Sequence, residues 1–108
     1  MALNEWLMVV DLEVDKAIVD DWNRWYDEVH LPEIVECPGF VRGTRYIAAM
    51  CDEGAEDKER HLTIYELTEP EAFESDTLRA RRGLGEFGDH VKVKTRLYRR
   101  HTSYESGS

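Results

Sequence analysis

Two stretches of helical period, each set between β-rich runs, follow one another along this chain, and that order narrows the possible folds more than any other feature. The run EWLMVVDL from Glu5 to Leu12 is short, apolar and flanked by polar residues, as a mostly buried strand is. Asp15 can cap the next element, in which Ile18, Trp22, Trp25, Tyr26 and Val29 recur at helical spacing while Asp20, Asp21, Arg24 and Glu28 take the other side. Pro32 disfavours helical geometry at Leu31, so this helix is expected to end or kink there, before a short turn from Glu33 to Cys37 and the break at Pro38 and Gly39. FVRGTRYIAAM, Phe40 to Met50, reads as a second strand, and CDEGAEDKER after it reads as an exposed hairpin loop. HLTIYEL, His61 to Leu67, is the third. Thr68 and Glu71 have capping-box spacing for a helix from about Glu69 to Arg82, broken by Gly83, Gly85 and Gly88. Val91 to Arg100 alternates as a fourth strand, with Val91, Val93, Thr95 and Leu97 opposite Lys92, Lys94, Arg96 and Tyr98.

The order β-α-β-β-α-β is that of an α+β, ferredoxin-like fold: two crossover units forming a four-stranded antiparallel sheet with two helices on one face. With 108 residues the chain has room for one domain, taken as 1–101, with 102–108 as a loose tail. Helices on one side leave the opposite sheet face uncovered, which is costly in so small a domain, and a homodimer is the expected solution. The Lys92, Lys94 and Arg96 face of the last strand needs acidic partners or water in such an interface.

Composition excludes several classes. At 42% hydrophobic and 34% charged residues the chain is too apolar for a disordered polymer. A formal net charge of −9 argues against a nucleic-acid partner, despite basic residues gathering late, from Arg79 to Arg100. No apolar run is long enough to span a bilayer, and Asn4 and Glu5 interrupt the start where a secretory signal needs continuous apolar residues, so no membrane is expected and the cytoplasm is the expected location. Cys37 and Cys51 lack CxxC spacing and read as reduced structural thiols. His30, His61, His90 and His101 show no HxxxH or HExxH spacing, and no glycine-rich phosphate loop precedes a helix, so neither a metal nor an organic cofactor is expected.

From Trp22 to Tyr46 the chain reads WNRWYDEVHLPEIVECPGFVRGTRY. The pattern W-Y-x-x-x-H-L-P-x-(I/L)-x-x-x-P-G-F with a following Arg-Tyr strand resembles the EthD-like members of the dimeric α/β barrel superfamily, and I-Y-E-L in the third strand extends the resemblance over most of the chain. It implies a dimeric α/β barrel. For function it implies a range, since such proteins include cofactor-independent oxygenases, isomerases and cyclases.

On a helical wheel with Ile18 as origin, Val29 points the same way and His30 falls at the edge of the apolar stripe beside Tyr26 and Asn23. Asp27 and Tyr26 lie three and four residues before it, close enough to touch it. A histidine at such a border can exchange a proton near neutral pH, with Asp27 orienting it as a general base, or it can simply close the helix. The resemblance implies the former, because related barrels place a histidine at the matching helix position in the cavity between helices and sheet. Trp22, Trp25 and Tyr26 serve as core and as walls for an apolar or aromatic ligand. Arg45 and Tyr46 sit on opposite faces of their strand, so one points inward; Tyr46 is preferred, with His61 as a second polar group. The function expected is a cofactor-independent enzyme, an isomerase, cyclase, lyase or monooxygenase, acting on a small hydrophobic or aromatic oxygenated catabolite. His30 would move the proton while Tyr46 or His61 holds the developing oxyanion. The alternative is a non-catalytic module that binds or delivers such a ligand in a catabolic pathway.

Overall fold

The computed structural model describes residues 4–50 and 56–107. Strands β1 (Trp6–Asp15), β2 (Phe40–Ile47), β3 (Lys58–Leu67) and β4 (Val91–Arg99) form one antiparallel sheet in the order β2-β3-β1-β4. Between β1 and β2 lie α1 (Val19–Trp25) and α2 (Leu31–Val35), and between β3 and β4 lies α3 (Asp76–Arg81). On one face Met8, Val10, Leu12 and Val14 of β1 are buried with Tyr65 and Leu67 of β3, and Trp22, Tyr26, Ile34 and Leu78 close the same core from the helical layer. This is the α+β, ferredoxin-like architecture expected.

Strand β3 begins earlier than the charges of its first residues suggest. Register pairs Asp15 with Lys58 and Glu13 with Arg60, so the run KER from Lys58 to Arg60 belongs to β3, its basic residues facing acidic ones of β1 instead of looping out. Cys51 and the first half of the expected loop fall outside the described residues; β2 itself ends at Ile47, three residues earlier than expected. Asp15 caps nothing. Its carboxylate is taken by Lys58 and by His90 Nδ1 at 3.1 Å, and a 3₁₀ turn over Lys16–Ile18 leads into α1.

The helix after β1 does not stop at Pro32. A π-helical turn over Tyr26–His30 joins α1 to α2, with the Leu31 N–H donating to Tyr26 O, and α2 then carries Pro32 in its first turn. Pro32 has no N–H to give the preceding turn and its ring crowds the carbonyl four residues back; widening that turn removes the clash and lets the helix go on. The second helix is shorter than expected. Thr68 Oγ1 donates to Gly39 O at 3.4 Å instead of capping, Pro70–Glu74 forms a 3₁₀ turn, and α3 starts only after Ser75, whose Oγ accepts from Leu78 N at 3.1 Å. A cap of this kind contributes about 1 kcal/mol.

Two glycines let the layers close. Gly39 has φ +85°, and a Cβ there would lie 2.7 Å from Ala72 Cβ; at Gly43 it would meet Leu31 Cδ1 at 2.8 Å and the Tyr65 ring at 2.9 Å. The opposite sheet face carries no helix. It presents Leu7, Val9, Leu62, Ile64, Tyr46 and Tyr98 interleaved with paired charges: register sets Arg42 beside Glu66, Lys92 beside Glu13 and Lys94 beside Asp11, and Arg96 reaches Asp11 at 3.6 Å. Acidic partners for the basic strand thus come from the neighbouring strand. Among the described residues no helix is long and apolar enough to cross a membrane.

Candidate active site

Between the helical layer and the sheet lies a cavity of about 80 Å³, floored by Met8, Val10 and Leu12, walled by Tyr26, His30 and Tyr65, and opening past Arg82, Leu84 and Val93. The opening exists because α3 is short and leaves the inner face of the edge strand β4 bare: Val93 pairs with Leu12 yet is 45% exposed.

His30 reaches this cavity because of the π turn. Buried positions fall at Trp22, Tyr26, His30 and Ile34, a four-residue spacing. An α-helix of about 3.6 residues per turn rotates off such a row within a few steps, and one widened turn restores the phase. The result reverses the wheel: His30 is 5% exposed, and Val29, expected inside, is 47% exposed. The imidazole stacks on Trp25 with centroids 4.7 Å apart and meets Tyr26 edge-on at 5.0 Å. Its Nδ1 is buried and without a hydrogen-bond partner; the nearest carboxylate oxygen is Glu33 Oε1 at 3.8 Å. Burial pushes the His30 pKa below its ordinary value, with Glu33 opposing, so the ring is neutral at pH 7 and keeps a lone pair.

Beside it, the Tyr26 and Tyr65 hydroxyls are 2.9 Å apart and both tyrosines are almost fully buried. Burial raises the pKa of both, so they stay protonated. One O–H is spent between them, and the other remains to donate to an oxygen in the cavity.

His61 is built differently. Trp22 Nε1 at 3.3 Å and Arg45 Nη2 at 2.8 Å both donate to its Nδ1, so Nδ1 must accept and Nε2–H faces Glu59 Oε1 at 2.6 Å. Burial, helped by the Arg45 charge, holds its pKa below the ordinary value against the pull of Glu59. Both nitrogens are occupied and the ring does not line the cavity, so its expected place as a second polar group there is corrected: it anchors Trp22 and Arg45.

Three further placements differ from expectation. Tyr46 points to the outer face and is 52% exposed, whereas Arg45 points inward, because a β-bulge between Phe40 and Arg42 reverses the alternation along β2. Asp27 does not orient His30; it is exposed and pairs with Arg45 at 2.6 Å, while Arg45 also donates to Asn23 at 2.9 Å and sits 4.7 Å over the Tyr26 ring. Trp22 and Trp25 support the wall without lining it: Trp22 packs on Tyr26, and Trp25 backs His30 against Phe87. The structure adds Tyr65, Glu33 and Arg82, of which only Tyr65 had a signal, as an inward position in the alternating run HLTIYEL. Among the described residues no three His, Cys, Asp or Glu side chains converge as a metal site requires.

Solved structures match this architecture over nearly the whole chain. HapK from Hahella chejuensis superposes with a TM-score of 0.65 at 15% identity, covering 94% of this chain and 99% of its own. An EthD family protein from Bacillus halodurans gives 0.61 at 12% identity, over 83% and 95%. The chain has the fold of the EthD-like dimeric α/β barrels. SnoaB from Streptomyces nogalater, a cofactor-independent oxygenase, shares the fold with a TM-score of 0.56 at 14% identity, over 92% and 96%. No family model matches the chain, and no curated protein matches it in sequence.

Proposed function

We propose that this protein is a cofactor-independent enzyme that moves a proton on a small hydrophobic or aromatic, oxygenated substrate, with His30 as general base. One observation carries the reading: a buried, neutral imidazole with an unbonded nitrogen forms part of the cavity wall beside two tyrosines, whereas both nitrogens of the other buried histidine, His61, are in use. A buried polar atom left without a partner costs about 1–3 kcal/mol, so its retention calls for a use. His30 takes a proton from a carbon beside a carbonyl, leaving imidazolium and an enolate. The free O–H of the Tyr26–Tyr65 pair donates to the enolate oxygen, and returning the proton elsewhere on the conjugated system yields an isomer. Glu33, whose Oε1 lies 3.8 Å from Nδ1, stabilises the imidazolium by its charge; Trp25 stacks on the ring and shields it from water. The cofactor-independent oxygenase on the same fold supports this reading by analogy of architecture.

The protomer pairs with a second copy through the helix-free sheet face. The apolar side chains of that face, with Tyr46 and Tyr98 about half exposed, support this assembly.

The test is isotope wash-in. Aryl ketones and unsaturated lactones are incubated with the protein in D2O, and deuterium at the carbon beside the carbonyl is followed by mass spectrometry. Wild-type protein should catalyse exchange or conversion, and His30→Gln, folded by circular dichroism, should lose about 10²–10⁴-fold in rate. An unchanged rate in His30→Gln removes the assignment; ligand retention with no exchange across the panel points to a binding module instead.

A further inference from the structure

The cavity contains one full charge, and it is positive. Of the residues that line it, Arg82 is the cation and none is a carboxylate. Six other arginines have carboxylate partners, Arg24 with Asp21, Arg42 with Glu66, Arg45 with Asp27, Arg60 with Glu13, Arg79 with Asp76 and Arg96 with Asp11, and Arg81 donates to the Glu33 carbonyl. Arg82 has no such partner among the described residues. Its guanidinium lies 5.7 Å over the Phe73 ring centroid, a contact that orients the planar fork without using its donors. With 23 acidic against 14 basic residues in the chain, a cavity lined by a guanidinium and no carboxylate has a local charge opposite to that of the whole.

We infer that the substrate is an anion: an apolar or aromatic body ending in a carboxylate, which Arg82 holds at the mouth while the reacting carbon faces His30. This rests on the proposed function of the same cavity and adds the substrate's charge class. The dimensions agree. A cavity of about 80 Å³ is smaller than the usual ligand site of about 300–1,000 Å³, so it holds only the reacting end and the remainder must emerge past Arg82 and Leu84. A carboxylate left there keeps part of its hydration, avoiding the cost of a buried charge, and accepts two parallel N–H bonds from the guanidinium. Placing the anion at the opening also keeps it away from His30, whose lone pair would repel it.

The experiment uses defined probes on the intact protein: benzoate, phenylacetate and 2-naphthoate, each beside its neutral carboxamide of nearly equal shape. The NMR signals of the His30 ring report occupancy of the cavity, and titration gives affinity. The carboxylates should shift the His30 signals and bind about tenfold more tightly than their amides at low salt, with the advantage shrinking as salt is raised. Arg82→Gln should erase that preference, and Arg79→Gln, on the exposed face of the same helix, should leave it intact. Equal affinity for acid and amide, no shift by any carboxylate, or an undiminished preference in Arg82→Gln each overturns the inference. The two proposals fail separately: exchange catalysed by His30 can survive loss of the charge preference, and the preference can survive in His30→Gln.

Discussion

The Tyr26–Tyr65 hydroxyl pair offers a sharp test of how the cavity is held together. Replacing either tyrosine by phenylalanine keeps the ring, with its contacts to Trp22 or Phe40, and removes one oxygen. The surviving hydroxyl is then stranded, since each tyrosine is 1% exposed. Losing the bond and leaving a buried O–H unpaired should cost about 1–3 kcal/mol in either single variant. Replacing both removes the stranded group as well, so the double variant should lie within about 1 kcal/mol of wild type and the coupling energy should approach the sum of the two single costs. The assay is urea denaturation of the four proteins at one fixed protomer concentration, read by circular dichroism and by Trp fluorescence. Additive costs, or singles that lose nothing, would mean that water or another group satisfies the hydroxyls and that the pair is not the donor the proposed chemistry needs.

Stability should also fall on acidification. His30 and His61 both have pKa values held below the ordinary 6.5 by burial, so the unfolded chain takes up protons first; their contribution is complete above about pH 6.5 and is lost as pH drops below it, until the folded-state values are passed. Thermal melts from pH 7.5 to 5 should show a declining midpoint, and a flat profile would contradict the neutral, buried state of both rings. If the protomers pair through the bare sheet face, each tenfold dilution should lower apparent stability by about 1.4 kcal/mol, and a midpoint independent of concentration together with a monomer mass in light scattering would rule the dimer out.

The element order, the inner alternation of β1, β3 and β4 and the packing of Trp22 and Tyr26 follow directly from hydrophobic period, because each side chain's direction is set by counting along a regular element. Counting failed where one residue was inserted into the count. The bulge near Val41 turned Arg45 inward and Tyr46 outward, and the π turn moved His30 to the cavity and Val29 to solvent. The bulge leaves no mark on local propensity, and Pro32, which accompanies the π turn, reads equally well as a helix end. Asp27 was a reasonable partner for His30 at three residues' distance, but Arg45, arriving from β2, competes for it with a full charge. Thr68 lost its capping role in the same way, to a carbonyl of Gly39 distant in sequence. Arg82 was invisible as a site residue because its meaning lies in what does not surround it.

The widened turn at Tyr26–His30 makes the presence of a base in this cavity a matter of chain phase. Rewinding that turn to regular α geometry at constant chain length would leave the sheet and the core tryptophan almost untouched, yet swing the following side chains by about 100°. His30 would turn to solvent and an aliphatic residue would fill its place, sealing a better packed and chemically inert interior. A reactive cavity and an inert one can therefore differ by the winding of a single turn, which a comparison of overall shape would not register.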